Sequence, residues 1–292
     1  MKKYKFKEKE RVLNANKPFL ISVSIIFFIY SLTLIFPFVW LLMNSVKDYR
    51  AFMNNPMAIP AFSGIHLENY VVMFKQFNLP KMFLNTMLMC LVVPTVHIMM
   101  SNMVAYACAK YKFIFNKLCY FIAMVSIYVN ISGTLPFTYK LMSDLGLIDN
   151  FLGIVILSSG GLNFQFLVML GIYSNISNDY KEAAEMDGAG RFRIYLQVYF
   201  PQVFPTCLAF WILGFIGQWN NYTVPYLYWP SQQTIATGIR DISNSITTNK
   251  EYMFEYPKLF AAMLLTIVPV VVLYAIFQKP INNREVGSGV KG

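Results

Sequence analysis

Few side chains in this 292-residue chain stand where they could do chemistry together. The two histidines, His66 and His97, have no cysteine or second histidine at ligand spacing. The cysteines Cys90, Cys108, Cys119 and Cys207 each sit in or beside an apolar stretch, and none forms a C-x-x-C pair. They read as small buried hydrophobes, and no metal site is expected. No serine has a histidine near it to serve as base. The tail Gly287-Ser288-Gly289-Val290-Lys291-Gly292 faintly resembles a phosphate loop. A working one needs G-x-x-x-x-G-K-[ST] between a strand and a helix, which this run lacks. No catalytic residue and no nucleotide site are therefore expected. What remains is one dense run of charge and small residues at 178–190, and a handful of amides set in otherwise apolar sequence.

The elements that must position these residues follow from composition. Hydrophobic residues make up 57% of the chain and charged ones 13%, where a soluble domain carries about 25% charged. Lipid is the expected solvent. No Asp, Glu, Lys or Arg occurs in 18–46, 82–109, 118–139, 150–178, 194–239 or 259–278. A helix needs about 20 apolar residues to cross the hydrocarbon. The expected architecture is all-α and integral to the membrane, with six transmembrane helices near 19–43, 83–108, 115–137, 151–173, 204–227 and 258–278. The first apolar stretch is too long for a signal peptide and lacks a small-residue cleavage site.

Orientation follows from Lys and Arg. With the N-terminus inside, sixteen of them fall on inner segments and eight on outer ones. Both termini are then cytoplasmic: a basic segment 1–17 and a tail 281–292 flank a six-span domain at 18–280. Segments 44–81 and 228–257 become long outer loops. The net charge of +10 is explained by these flanks, and no nucleic-acid face is expected. Of Asp, Glu, His and Arg, the spans hold only His97. Ion-coupled carriers commonly bury acidic or basic relays, so uphill movement would draw on a partner.

The run Asn178-Asp179-Tyr180-Lys181-Glu182-Ala183-Ala184-Glu185-Met186-Asp187-Gly188-Ala189-Gly190 would lie on the cytoplasmic side. Ser177 or Asn178 can cap a helix, and acids suit its first turns. The alanines leave a low-profile face, and the glycines allow a sharp break. A second helical stretch from Arg191 to Tyr199 leads to Pro201. By itself this describes either a solvated loop helix or a docking element.

Glu182-Ala183-Ala184, three residues, Gly188, nine residues and Val198-x-Phe200-Pro201 resemble the EAA loop of ABC importer permeases, with Val198 and Phe200 in place of Ile and Leu. Met186-Asp187-Gly188-Ala189, Gly217-Gln218-Trp219-Asn220-Asn221, Asn44-Ser45-Val46-Lys47 and the Gly289-Val290-Lys291-Gly292 tail are similar to the carbohydrate branch of that family. The resemblance implies a type I ABC importer permease fold in a bacterial inner membrane. It implies that the 178–201 loop couples to two cytoplasmic ATPase subunits through Glu182, Ala183, Ala184, Asp187, Gly188 and Pro201. ATP and magnesium would be held by those subunits, with no cofactor in this chain. The tail Gly289–Gly292 would reach the ATPase interface. A second, homologous permease, an extracytoplasmic binding protein and a sugar or oligosaccharide complete the implied partners. Asn130, Asn163, Gln165, Gln218, Trp219, Asn220 and Asn221 either line the sugar's path or bond helix to helix.

Other readings are a permease of the same architecture for a peptide or polyamine, and a membrane-embedded enzyme using boundary acids such as Asp144 and Asp149. A charged solute would favour a charged cavity, and the acids are scattered singly. The charge-poor spans argue against a secondary transporter.

Overall fold

A computed structural model of the protein describes residues 17–76, 78–111, 114–129, 133–248 and 256–282. Almost all of them are helical, and no strand occurs among them. Asn130, most of the basic N-terminal segment and the 289–292 tail lie outside the described residues.

Among the described residues, three helices are long and apolar enough to cross a membrane: α1 (Lys17–Ser45), α4 (Leu79–Lys110) and α10 (Arg191–Trp219). Helix α1 is apolar on every side and none of its most apolar stretch is covered by protein, the pattern of a helix solvated by lipid. Two short helices, α2 (Tyr49–Asn54) and α3 (Glu68–Gln76), follow it.

Two expected spans are each divided. The third holds α5 (Asn116–Tyr128) and α6 (Thr134–Asp144), and α6 starts from Gly133 at φ +90. The fourth holds α7 (Phe151–Ser158) and α8 (Phe164–Asn175). Between them lie Ser159, Gly160, Gly161 and Asn163, residues that disfavour helix interiors. The Asn163 side chain instead caps α8, accepting from the Phe166 N–H at 3.0 Å.

The fifth expected span is displaced. Helix α10 begins at Arg191, not near 204, and ends at Trp219. Pro201 was expected to close a separate loop helix, yet the chain runs helical through it. A π-turn at Tyr195–Tyr199 precedes the proline, and the Phe200 N–H reaches back five residues to the Tyr195 carbonyl. That wide turn leaves room for the proline ring, which would clash with a regular preceding turn. The remaining helices are α9 (Asp179–Met186), α11 (Thr223–Tyr228), α12 (Ile235–Thr248) and α13 (Tyr256–Asn282).

The chain forms two compact units. Of the described residues, one comprises those up to Met73 with those of Ile246–Leu265, and the other those of Phe74–Ser245 with those from Thr266 onward. In the first, Asn44, Ser45 and Lys47 at the end of α1 are buried. Ser45 bonds the Tyr70 hydroxyl at 2.6 Å, and Lys47 donates to the carbonyls of Asn55 and Pro56. Burial lowers the Lys47 pKa from its ordinary value. The second unit is organised by α4, which packs along both α8 and α10. Gly214 lets α10 approach α4 closely: a Cβ there would stand 2.9 Å from the Pro94 side chain.

Candidate functional site

Helix α9 and its exit are fixed by local chemistry. The Ser177 hydroxyl accepts from the Asp179 N–H at 3.1 Å and so caps the start. Asn178 does not cap. Its carbonyl accepts from Lys181 and Glu182, and its side-chain oxygen is taken by Lys110. At the far end the Gly188 N–H bonds the Glu185 carbonyl and the Ala189 N–H bonds the Ala184 carbonyl, both at 3.0 Å. Gly188 sits at φ +75. This is a Schellman closure, which calls for glycine at the left-handed position. The Gly190 backbone is extended and leads straight into α10.

One side of α9 is anchored. Ala184 and Ala189 pack on a core built from α4, α8 and the first turns of α10. Lys110, the last residue of α4, donates to the Ile176 carbonyl at 2.5 Å and to Asn178 Oδ1 at 3.1 Å. Lys181 lies over the Tyr111 ring at 4.6 Å and pairs with Glu185 at 3.7 Å. The opposite side is bare: Glu182, Ala183, Asp187 and Gly188 are exposed, and Met186 is 88% exposed. The loop offers solvent a small, preshaped knob with an acidic rim and one large apolar side chain. Pro201 lies eleven residues past Gly190, inside α10 and away from this knob in sequence.

Within the same unit lies a cavity of about 710 Å³, walled by α4, α10 and the interruption between α7 and α8. No lining residue carries Asp, Glu, Lys or Arg. Its polar groups come from His97, Ser126, Ser158, Asn163, Gln165, Gln218 and Asn221. His97 Nδ1 lies 2.7 Å from the Ser158 carbonyl, and Nε2 lies 3.0 Å from Asn163 Nδ2. A carbonyl only accepts, so Nδ1 is the donor to Ser158. Asn163 also bonds Ser101 and the Gly160 carbonyl.

The whole chain carries a family signature as well. Residues 15–285 match the family described as binding-protein-dependent transport system inner membrane component. The chain belongs to this family. It is a membrane-embedded permease subunit of an ABC importer, a transport component rather than an enzyme, and such importers work with a binding protein and an ATPase. It is 26% identical over 256 residues to the diacetylchitobiose uptake system permease protein NgcG of Streptomyces coelicolor, covering 87% of this chain and 83% of that one. It is 24% identical over 279 residues to the arabinooligosaccharides transport system permease protein AraQ of Bacillus subtilis, covering 93% and 96%. A chain in the crystal structure of a bacterial ABC transporter involved in the import of the acidic polysaccharide alginate has the same fold: TM-score 0.78 at 22% identity, covering 91% of this permease and 97% of that chain.

Four of the amides singled out in the permease sequence, Asn163, Gln165, Gln218 and Asn221, meet at the cavity. Two do not. Trp219 is buried against Phe215 and Phe83, and Asn220 bonds back to the Ile216 carbonyl. Both follow from where α10 ends, since the last turn points these side chains away from the lumen. Sequence reasoning passed over Ser126, Ser158 and His97 as lining groups. The dipeptides Ser158-Ser159 and Gly160-Gly161, read as a break, would have flagged that wall.

Proposed function

We propose that this permease forms half of the translocation pathway for a neutral sugar or oligosaccharide, and that its 178–190 loop is the seat of the ATPase. The observation that carries the reading is the pairing of an exposed, preshaped loop with an uncharged cavity on one packed bundle. Glu182, Ala183, Ala184, Asp187 and Gly188 form the contact. Pro201 acts through helix continuity rather than by touching the ATPase. Rigid-body closure of an ATPase pair would rock α4, α8 and the first turns of α10 together. Both termini and this loop then face the cytoplasm. A second, different permease completes the pore, two ATPase copies bind ATP and magnesium, and the 289–292 tail reaches between them. The outer segments 44–81 and 228–257 receive the binding protein.

The neutral-sugar part draws support from the cavity lining and from relatives named for diacetylchitobiose and arabinooligosaccharides. Ligand and binding protein should stimulate ATP hydrolysis by the reconstituted complex when neutral oligosaccharides are screened beside acidic ones. Stimulation by acidic saccharides alone would overturn it. For the loop, Glu182→Lys and Gly188→Pro should abolish co-purification of the ATPase, and retained binding with full transport in both would sink the coupling role.

A further inference from the structure

Between the cavity and the loop, α4 carries polar side chains at steps of about one turn: His97, Ser101 with Asn102, Tyr106 and Lys110. At 1.5 Å per residue the stripe spans about 20 Å. At its middle Asn102 is fully buried. Its Oδ1 accepts the Tyr173 hydroxyl of α8 at 2.8 Å and the Tyr195 hydroxyl of the π-turn at 2.6 Å. Its Nδ2 meets only sulfur, Cys207 Sγ at 3.1 Å and Met169 Sδ at 3.7 Å. Sulfur is a weak acceptor. The carboxamide is thus held firmly through its oxygen, toward α8 and the first turns of α10, and more weakly through its nitrogen, toward Met169 of α8 and Cys207 in the body of α10.

Stability alone does not ask for this arrangement. A buried polar group with weak partners is costly, and apolar side chains of like volume would fill the place. The rings around it connect it to the loop: Tyr106 contacts Tyr173, Tyr195 and Tyr199 at centroid distances of 5.6, 5.0 and 5.2 Å. Ala184 and Ala189 rest on the same cluster.

We infer that Asn102 is a positioning residue for energy coupling: it ties α8 and the π-turn to α4 as one block that moves with the 178–190 loop. The Cys207 sulfur, a weak acceptor and the partner of Asn102 in the body of α10, lets the rest of α10 slip against that block. The π-turn is the two-state element. Rewound to α-helical register, it turns Tyr195 away from Asn102. The inference rests on the reading that the loop receives the ATPase.

The test uses the full importer in proteoliposomes and reads solute moved per ATP hydrolysed. Asn102→Leu alone strands two hydroxyls. The decisive variant therefore combines Asn102→Leu, Tyr173→Phe and Tyr195→Phe, which removes all three polar groups together. It should assemble with the ATPase and lower the transport-to-hydrolysis ratio at least tenfold. Asn102→Asp alone, which still offers acceptor oxygen to both tyrosine hydroxyls, should keep most of the ratio. An unchanged ratio in the triple variant overturns the inference, and so does an equal fall in transport and hydrolysis. If the triple variant does not assemble, Tyr195→Phe carries the test, and an unchanged ratio there is equally fatal. Glu182→Lys is run in parallel: if it leaves the ATPase bound and transport intact, the loop reading fails whatever Asn102 does.

Discussion

Replacing Gly188 by alanine should open the end of α9 without touching anything else. Gly188 stands at φ +75, and a Cβ there would find no atom within 4 Å. The whole cost is therefore backbone strain, about 1–2 kcal/mol for an L-residue held in the left-handed region. That corresponds to roughly a 5–30-fold shift toward the opened turn. Gly190 is the internal control. Its φ is −67 and ψ 155, with equally open space around it. Alanine fits there and should stabilise by about 0.4–1 kcal/mol through the unfolded chain. Hydrogen exchange on the purified complex reads the difference at the amides of residues 188 and 189, which bond Glu185 and Ala184. Protection should fall about 5–30-fold in Gly188→Ala, fall less in Gly188→Asn, and hold or rise in Gly190→Ala. ATPase retention on the column should follow the same order. If Gly188→Ala and Gly190→Ala behave alike in exchange and retention, the argument from the Schellman closure is wrong.

Lys110→Met removes two bonds that hold the end of α8 and the start of the loop; at a half-exposed site this should cost about 1 kcal/mol and speed exchange at 177–182, while Lys110→Arg should cost less. Gly214→Val forces β-branched atoms against Pro94, and the overpacking should destabilise the permease by about 1–3 kcal/mol, visible as a lower thermal midpoint of the purified complex, with Gly217→Val as the open-space comparison. Gln218→Glu puts a charge on the wall of an uncharged cavity and should cut transport of a neutral oligosaccharide at least tenfold while leaving ATPase assembly intact, as scored by vesicle uptake and co-purification.

Much of the helical plan was legible because charge-free intervals report lipid contact directly. The ends of α10 were not. Pro201 reads as a stop, and only the π-turn before it shows that the helix continues. The division of the third and fourth spans was also hidden. A window of apolar residues stays apolar when Ser158, Gly160 and Asn163 interrupt the helix within it. Asn163 was recognised as a polar oddity, but its two jobs, capping α8 and holding His97, depend on the break being there. Asn102 went unremarked for a related reason. One amide in an apolar helix has no pattern of its own, and its partners Tyr173 and Tyr195 lie 71 and 93 residues away.

The break between α7 and α8 bears on how such a permease can change over generations. Main-chain carbonyls of Ser158, Gly160 and Leu162 come to this wall and take hydrogen bonds from His97, Asn163 and Ser126. Irregular backbone at membrane depth is tolerated where it lines a cavity. A wall made partly of peptide groups keeps that part of its polarity under any side-chain substitution. On the sugar path proposed above, selection can therefore swap Ser126, Gln165 or Gln218 without having to reinvent a polar lumen each time.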